Sequence, residues 1–405
     1  MGHLEHMKRI YLDYAATTPV DKEVLKAMAP YFSDKFGNAS SMHSFGQETI
    51  NAIDQAREKI AKLLNCQFDE IIFTGSATES NNLAIQGIAK KLSSPAGDRN
   101  LMKTLHFITS AIEHESVLEP LKELEKNGHE VTYLPVNKDG FIKDSDLERA
   151  IKNNTVLVSI IYASNEIGII QPIKEIGKLI EKSNAKRRME DLPRIYFHTD
   201  AVQAFNYLEC RPDWLKVDLL TFSGHKIYGP KGIGALFVKK NTPFKPIIFG
   251  GGQEFNLRSG TENVPYIIGL AKAVEMVSRN REKRFKYVEN LRNKLLNYII
   301  KYNGDVKLNG AVNNRLPNNL NIRFPGIDNE TLLVALDQAG VAISAGSACS
   351  SRATNVSHVL KAIGLSEKQA KNSVRITLGK NTVEIEIKKT AEIVNKTLIK
   401  LKSLS

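Results

Sequence analysis

The feature that most limits what this chain can fold into is a series of short, nearly continuous apolar runs, each followed by an amphipathic stretch. "EIIFTG" precedes "NNLAIQGIAKKL", "LHFITS" precedes "VLEPLKELEKNG", and "TVLVSIIYA" precedes "IKEIGKLIEK"; "RIYFHTD", "VDLLTFSG" and "IGALFVKK" continue the series. Strands that read as unbroken Val/Ile/Leu/Phe are buried on both faces, and helices between them supply the cover, so the pattern predicts a mostly parallel sheet in an α/β fold. After the glycine cluster "FGGGQ" the pattern changes. One long helix is expected over roughly Val264 to Tyr302, then short strands near "NNLNIRF" and "SVRITLG", which together make a second, smaller α+β domain.

Composition removes several function classes. With 405 residues, 42% apolar and 25% charged, the chain has material for a large core and is neither disordered nor fibrous. No apolar run reaches the length of a membrane span, and the start lacks the layout of a signal peptide, so the expected setting is cytoplasmic with no membrane partner. The first six residues, "MGHLEH", read as a cloning remnant ahead of a native start at Met7. The three cysteines, Cys66, Cys210 and Cys349, include no CxxC pair, which argues against a disulfide framework or a structural zinc site and fits a reducing compartment. A formal charge of +12 comes from 56 basic residues interleaved with 44 acidic ones. That describes a lysine-rich surface rather than a nucleic-acid footprint. The compact "KRR" at Lys186 to Arg188 is expected in a surface loop.

In open α/β sheets ligands gather at the carboxyl ends of the strands, so polar residues just after the apolar runs carry the functional signal. "IIFTGSATESNN" turns a strand through Gly75 and Ser76 into a helix starting near Ala77, where free backbone amides and the Thr78 hydroxyl offer a phosphate site. The alternative there is a plain Ser-x-x-Glu capping box from Ser76 to Glu79. "RIYFHTDAVQA" delivers Asp200 and Gln203, and "SIIYASNEIG" delivers Asn165. "SGHKIYGPKG" delivers Ser223, His225 and Lys226. A phosphate cradle, an isolated carboxylate, an amide and a lysine on one edge are the set that pyridoxal 5'-phosphate requires: Lys226 for the Schiff base, Asp200 for the pyridine nitrogen, and the cradle, with Ser223 and His225 as further donors, for the phosphate. A lysine's ordinary pKa near 10.4 leaves little free amine at neutral pH, so such a site must favour its neutral form.

The chain resembles the cysteine desulfurases of the NifS/IscS type, class V aminotransferase-fold enzymes, through "YLDYAATTP", "FTGSATESNN", "EHESVL", "SNEIG", "HTDAVQA", "SGHKIYGPKGIGAL", "GGGQEFNLRSGTENVP" and "SAGSACSS" in that order, from Tyr11 to about Gly379. The resemblance implies the pyridoxal-phosphate transferase fold of the aspartate aminotransferase type. Its large domain, residues 17–263, would hold a mostly parallel seven-stranded sheet, and residues 7–16 with 264–405 would form the small domain. It further implies that His114 stacks on the cofactor and handles protons, that Ala77, Thr78, Asn165, Asp200, Gln203, Ser223, His225 and Lys226 bind the cofactor, and that Thr261 reaches the phosphate of the neighbouring subunit in a homodimer. Arg375, assisted by Asn165, would grip the substrate carboxylate with a planar two-pronged donor; a buried structural ion pair is its alternative. Cys349, in a Gly/Ser/Ala-rich stretch, would be the nucleophile that takes sulfur from L-cysteine as a persulfide, releasing alanine. Cys66 and Cys210 read as small buried hydrophobes. The implied partners are L-cysteine and an iron–sulfur scaffold protein or another sulfur acceptor. No metal site is expected beyond a transient ligation of an iron–sulfur cluster by Cys349. Local departures from the family pattern stand at Ala39, Ser164, Phe255 and Asn256.

Two other readings differ in what they need. A selenocysteine lyase or an aminotransferase of the same fold keeps Lys226 and Asp200 but has no use for Cys349. A non-catalytic protein binding RNA or an acidic partner needs none of the cofactor set.

Overall fold

The computed structural model describes residues 9–93, 104–346 and 356–403. The strands are β1 Ile10–Tyr11, β2 Ile71–Thr74, β3 His106–Ser110, β4 Glu130–Leu134, β5 Thr155–Ser159, β6 Tyr196–Asp200, β7 Leu219–Ser223, β8 Gly234–Val238, β9 Lys307–Leu308, β10 Asn319–Arg323, β11 Val341–Ala342 and β12 Ser373–Thr377. Seven of them form one sheet in the order β2-β8-β7-β6-β5-β3-β4, in which β8 runs antiparallel to both its neighbours and all other pairs are parallel. This is the expected α/β sheet. β3, β5, β7 and β8 are buried at every position, because helices pack on both faces and leave no side of the pleat to water. The strand β4 was absent from the expected series: "EVTYL" is half-exposed at the sheet edge and alternates polar with apolar residues instead of forming a run.

Because β2, β3, β5, β6 and β7 run the same way, their carboxyl ends share one edge, and the loops that follow them meet there. Smaller sheets complete the α+β part. β12, β10 and β9 pair antiparallel, and β1 pairs with β11. Arg375 sits in the middle of β12, opposite Asn321, and the bridge Asp13↔Thr377 brings the N-terminal segment alongside.

Two sequence expectations need correction. The long helix over Val264–Tyr302 is two helices, Val264–Arg279 and Arg281–Tyr302, broken at Asn280, whose φ of −132° and ψ of 31° are not helical. Lys186–Arg188 is not a surface loop: it closes the helix Ile173–Met189, and Arg187 is buried, donating to the carbonyls of Pro193, Lys152, Asn153 and Thr155. Basic residues favour the last turn of a helix, where free carbonyls collect. Of the two described cysteines, Cys210 is fully buried as expected, whereas Cys66 is only half-buried against the core. Burial pushes both thiols up to about 12, which disfavours the thiolate form of each at neutral pH.

Candidate active site

The loops at the carboxyl edge enclose a cavity of about 200 Å³ lined by Ser76, Ala77, Thr78, His114, Ser116, Asn165, Asp200, Gln203, His225, Lys226 and Arg375, with Ala15, Ala16, Ile161 and Val202. Each wall has a local cause. Ser76 caps the helix Ala77–Leu92 by accepting the Glu79 amide at 3.1 Å. The reciprocal half of a capping box is missing, because the Glu79 carboxylate turns to the Gly75 amide at 2.8 Å and to Arg258 Nε at 2.8 Å. The first amides of this helix, Ala77 and Thr78, have no acceptor one turn back, as in any helix. Gly234, opening β8, lies against them: a Cβ there would stand 2.7 Å from Ser76 C and 2.9 Å from Ala77 N.

Asp200 ends β6 and is buried. Its Oδ1 accepts the Val202 amide at 2.9 Å and its Oδ2 accepts Asn81 Nδ2 at 2.8 Å. Lys226, in the short 3-10 turn after β7, donates from Nζ to the carbonyls of Ala15 at 2.6 Å and Ala16 at 2.8 Å. Its neighbour His225 is held at about 4, first by burial and then by the charges of Lys226 and Lys231, so its ring is neutral at neutral pH. His114 caps the helix Glu115–Lys126, its Nδ1 accepting the Ser116 amide at 3.1 Å. An Nδ1 that accepts leaves the proton of the neutral ring on Nε2.

Arg375, 1% exposed, donates to the Asn165 carbonyl at 3.0 Å and to Asp13 Oδ1 at 2.8 Å. The ion-pair alternative is therefore realised, and Arg375 lines the cavity as well. Its Nε is buried with no partner.

A family model described as "Aminotransferase class-V" matches residues 10–389. The chain is 47% identical to a "Cysteine desulfurase IscS" of Dictyoglomus turgidum over 98% of this chain and 97% of the relative. It is 43% identical to a protein of the same name from Clostridium botulinum over 98% and 96%. The chain belongs to the class-V aminotransferase family, among its cysteine desulfurases. Of the solved structures, one titled "NIFS-LIKE PROTEIN" superposes with a TM-score of 0.88 at 35% identity, over 96% of this chain and 99% of that one. Another, "SspA in complex with cysteine", gives 0.77 at 40% identity over 92% and 100%.

This class-V family works with pyridoxal phosphate, and the cavity of this member fits that group. The amides of Ala77 and Thr78, at a helix start that Gly234 leaves unobstructed, would hold its phosphate. Its pyridine nitrogen would be held by the buried Asp200 carboxylate, already bound by two N–H donors, and its aldehyde would be held by Lys226, the one lysine lining the cavity among the described residues. The sequence-derived site residues Ala77, Thr78, His114, Asn165, Asp200, Gln203, His225, Lys226 and Arg375 all line this space. Ser223 does not: it is buried behind the wall and donates to the Ile233 carbonyl at 3.4 Å. Thr261 is exposed and away from the cavity of its own chain. Cys349 lies outside the described residues.

Sequence reasoning missed the segment Asp13–Thr18, which binds Arg375, Gln203, Lys226 and His225. Asp13 holds Arg375, Ala15 O accepts Gln203 Nε2 at 3.0 Å as well as Lys226 Nζ, and Thr17 Oγ1 meets His225 Nδ1 at 3.3 Å. Its signal was present in "YLDYAATTP", where an acid, two small residues and two hydroxyls follow a strand too short to show a period. The buried Asn81 and the Ser116 hydroxyl were missed too, since neither follows an apolar run.

Proposed function

We propose that this class-V family member is a cysteine desulfurase that converts L-cysteine to L-alanine and passes the sulfur, through a persulfide on Cys349, to an acceptor such as an iron–sulfur scaffold protein. The observation that carries this reading is the convergence of Lys226, Asp200, His114 and Arg375 on one cavity beside a helix start. Bound pyridoxal phosphate supplies a ring that accepts the electron pair left when a proton leaves the substrate α carbon.

The protein's own groups do the rest. Arg375, oriented by Asp13 and the Asn165 carbonyl, binds the substrate carboxylate. Lys226 takes the α proton as a neutral amine and returns it, and the Ala15 and Ala16 carbonyls hold its Nζ when it is charged. His114, with its proton on Nε2, can give or receive a proton at the substrate. His225, kept neutral, donates to an anion without adding charge. The Cys349 thiolate attacks the substrate sulfur: an S–S bond forms, the carbon–sulfur bond breaks, and the carbon that keeps the electron pair is protonated to give alanine. A working homodimer in the cytoplasm is part of this reading. Thr261 is exposed as a residue reaching into a partner's phosphate site must be, and the large apolar side chains of Phe36, Met42 and Phe249, exposed at 67%, 91% and 76%, suit cover by a second copy.

Sulfide and alanine released by purified variants test it. Cys349→Ser should still bind the cofactor and L-cysteine, with a spectral change, yet release almost no sulfide under reductant. Lys226→Ala should lose both the borohydride-fixable cofactor and turnover. Undiminished turnover of Cys349→Ser would overturn the reading in favour of a lyase that needs no cysteine.

A further inference from the structure

Along the cavity wall, a line of hydrogen bonds joins Asp200 to His114 through two residues that no part of the reaction above uses. Asn81 is fully buried on the helix Ala77–Leu92. Its Nδ2 donates one hydrogen to Asp200 Oδ2 at 2.8 Å and the other to Ser116 Oγ at 2.9 Å. Ser116 Oγ in turn lies 2.8 Å from His114 Nδ1.

The direction of these bonds is fixed from the Asp200 end. A carboxylate only accepts, so the Asn81 amide must present its NH₂ to it, and the same nitrogen then faces Ser116. The hydroxyl accepts from Asn81, so its own hydrogen points to His114 Nδ1. The ring nitrogen thus receives two donors, the Ser116 hydroxyl and the Ser116 amide. Asn81 Oδ1 is buried with no partner, so the amide is oriented by what its nitrogen does and not by any bond to its oxygen.

We propose that Asn81 is a positioning residue that, acting through the Ser116 hydroxyl, ties the hydrogen-bonding state of His114 to the carboxylate of Asp200. Its effect is to keep His114 accepting at Nδ1, with the movable proton on Nε2, for as long as Asp200 is a carboxylate. The inference rests on the proposed roles of Asp200 and His114. The charged and titratable groups that bear on the ring are Asp200, Lys226 and Arg375 around the cavity, the buried Glu113 and the adjoining Glu115 on its own segment, and His225, neutral across the cavity. His358 meets the backbone carbonyl of Glu113 at 2.9 Å. None of these is altered in the variants below.

The test is a pH titration of the histidine ring signals of the full chain labelled at ring carbon, with and without pyridoxal phosphate, using His114→Gln to assign the His114 signal. In Asn81→Ala and in Ser116→Ala the His114 midpoint should rise by about half a pH unit or more, as expected for losing one neutral hydrogen bond to the unprotonated ring. The double variant should rise no further than the larger single one, because both act on the same bond. Asn81→Leu, which keeps the volume, adds no charge and donates to neither Asp200 nor Ser116, should move the midpoint the same way and serves if the alanine variant does not fold. Pyridoxal phosphate uptake should weaken in Asn81→Ala, which deprives Asp200 of a donor, and stay near wild type in Ser116→Ala. An unmoved midpoint in the folded Asn81 variants, or additive shifts, would overturn the proposal even if the enzyme desulfurates cysteine. Failure of the wild type to fix cofactor on Lys226 would instead count against the proposed function.

Discussion

Arg375 and Asp13 form an ion pair of 2.8 Å between the centre of β12 and the segment that follows β1, and its arginine lines the same cavity as Lys226. The pair is nearly dry, with 2% and 17% of the two side chains exposed. A buried arginine that keeps a fixed carboxylate on one arm is preset for a second carboxylate on its remaining N–H groups.

This gives a first prediction. Asp13→Ala should raise KM for L-cysteine about tenfold, the effect of one charge-assisted hydrogen bond lost from an orienting contact, with kcat changed much less. Asp13→Asn, which keeps an oxygen for Arg375, should recover most of the loss. If Asn is as poor as Ala, the charge of Asp13 matters and its orienting bond does not.

A second prediction concerns the phosphate cradle. Gly234→Ala places a methyl 2.7 Å from Ser76 C, where neither backbone can yield cheaply. Overpacking of this kind costs about 1–3 kcal/mol, so apoprotein affinity for pyridoxal phosphate should fall about tenfold or more. Fluorescence titration measures it, and an unchanged affinity would remove Gly234 from the cradle.

A third prediction arises from the turn at Glu254, Phe255 and Asn256, three successive non-glycine residues with φ of 47°, 58° and 64°. Such backbone is disfavoured for each. Arg57 holds it, binding both oxygens of Glu254 at 2.8 Å while lying over the rings of Phe68, Phe73 and Phe255. Glu254→Gln leaves Arg57 buried without its counter-charge and should destabilise the protein by about 3 kcal/mol in denaturant unfolding. Asn256→Gly, which removes strain without touching the pair, should be neutral or stabilising.

The parts of this molecule that were legible in the sequence share one property: they follow buried strands. Asp200, Asn165 and Lys226 each come directly after an apolar run, and a parallel sheet must bring such positions to one edge. Asn280, which divides the long helix, carries no proline or glycine, and its break depends on how the two helices pack. Arg187 was misplaced because its charge suggested water, whereas four backbone carbonyls satisfy it inside. Asn81 and Asp13 act through partners distant in sequence, 119 residues apart for Asn81 and Asp200 and 362 for Asp13 and Arg375, and Ser116 is tied to Asn81 across 35 residues. Local pattern holds no trace of those distances.

The last prediction is about pH and stability. Glu113, next to His114, is fully buried; its Oε1 accepts from Ser110 Oγ at 2.5 Å and the Ile161 amide at 2.8 Å, while its Oε2 has no partner. Burial, opposed by the two hydrogen bonds and helped by the charge of Asp200, pushes its carboxyl up to about 8 from an ordinary 4.5. The folded protein therefore keeps a proton on Glu113 that the unfolded chain gives up above about 4.5. Folding is favoured in full below that value, and the advantage is lost as pH rises toward 8. Glu113→Gln mimics the protonated acid and does not titrate. Its melting temperature should equal that of the wild type near pH 5, exceed it increasingly toward pH 8, and level off above, as read by thermal unfolding in a series of buffers. A wild type and variant that melt in parallel across this range would mean that Glu113 is ionised in the folded protein and is compensated by a partner not seen among its neighbours.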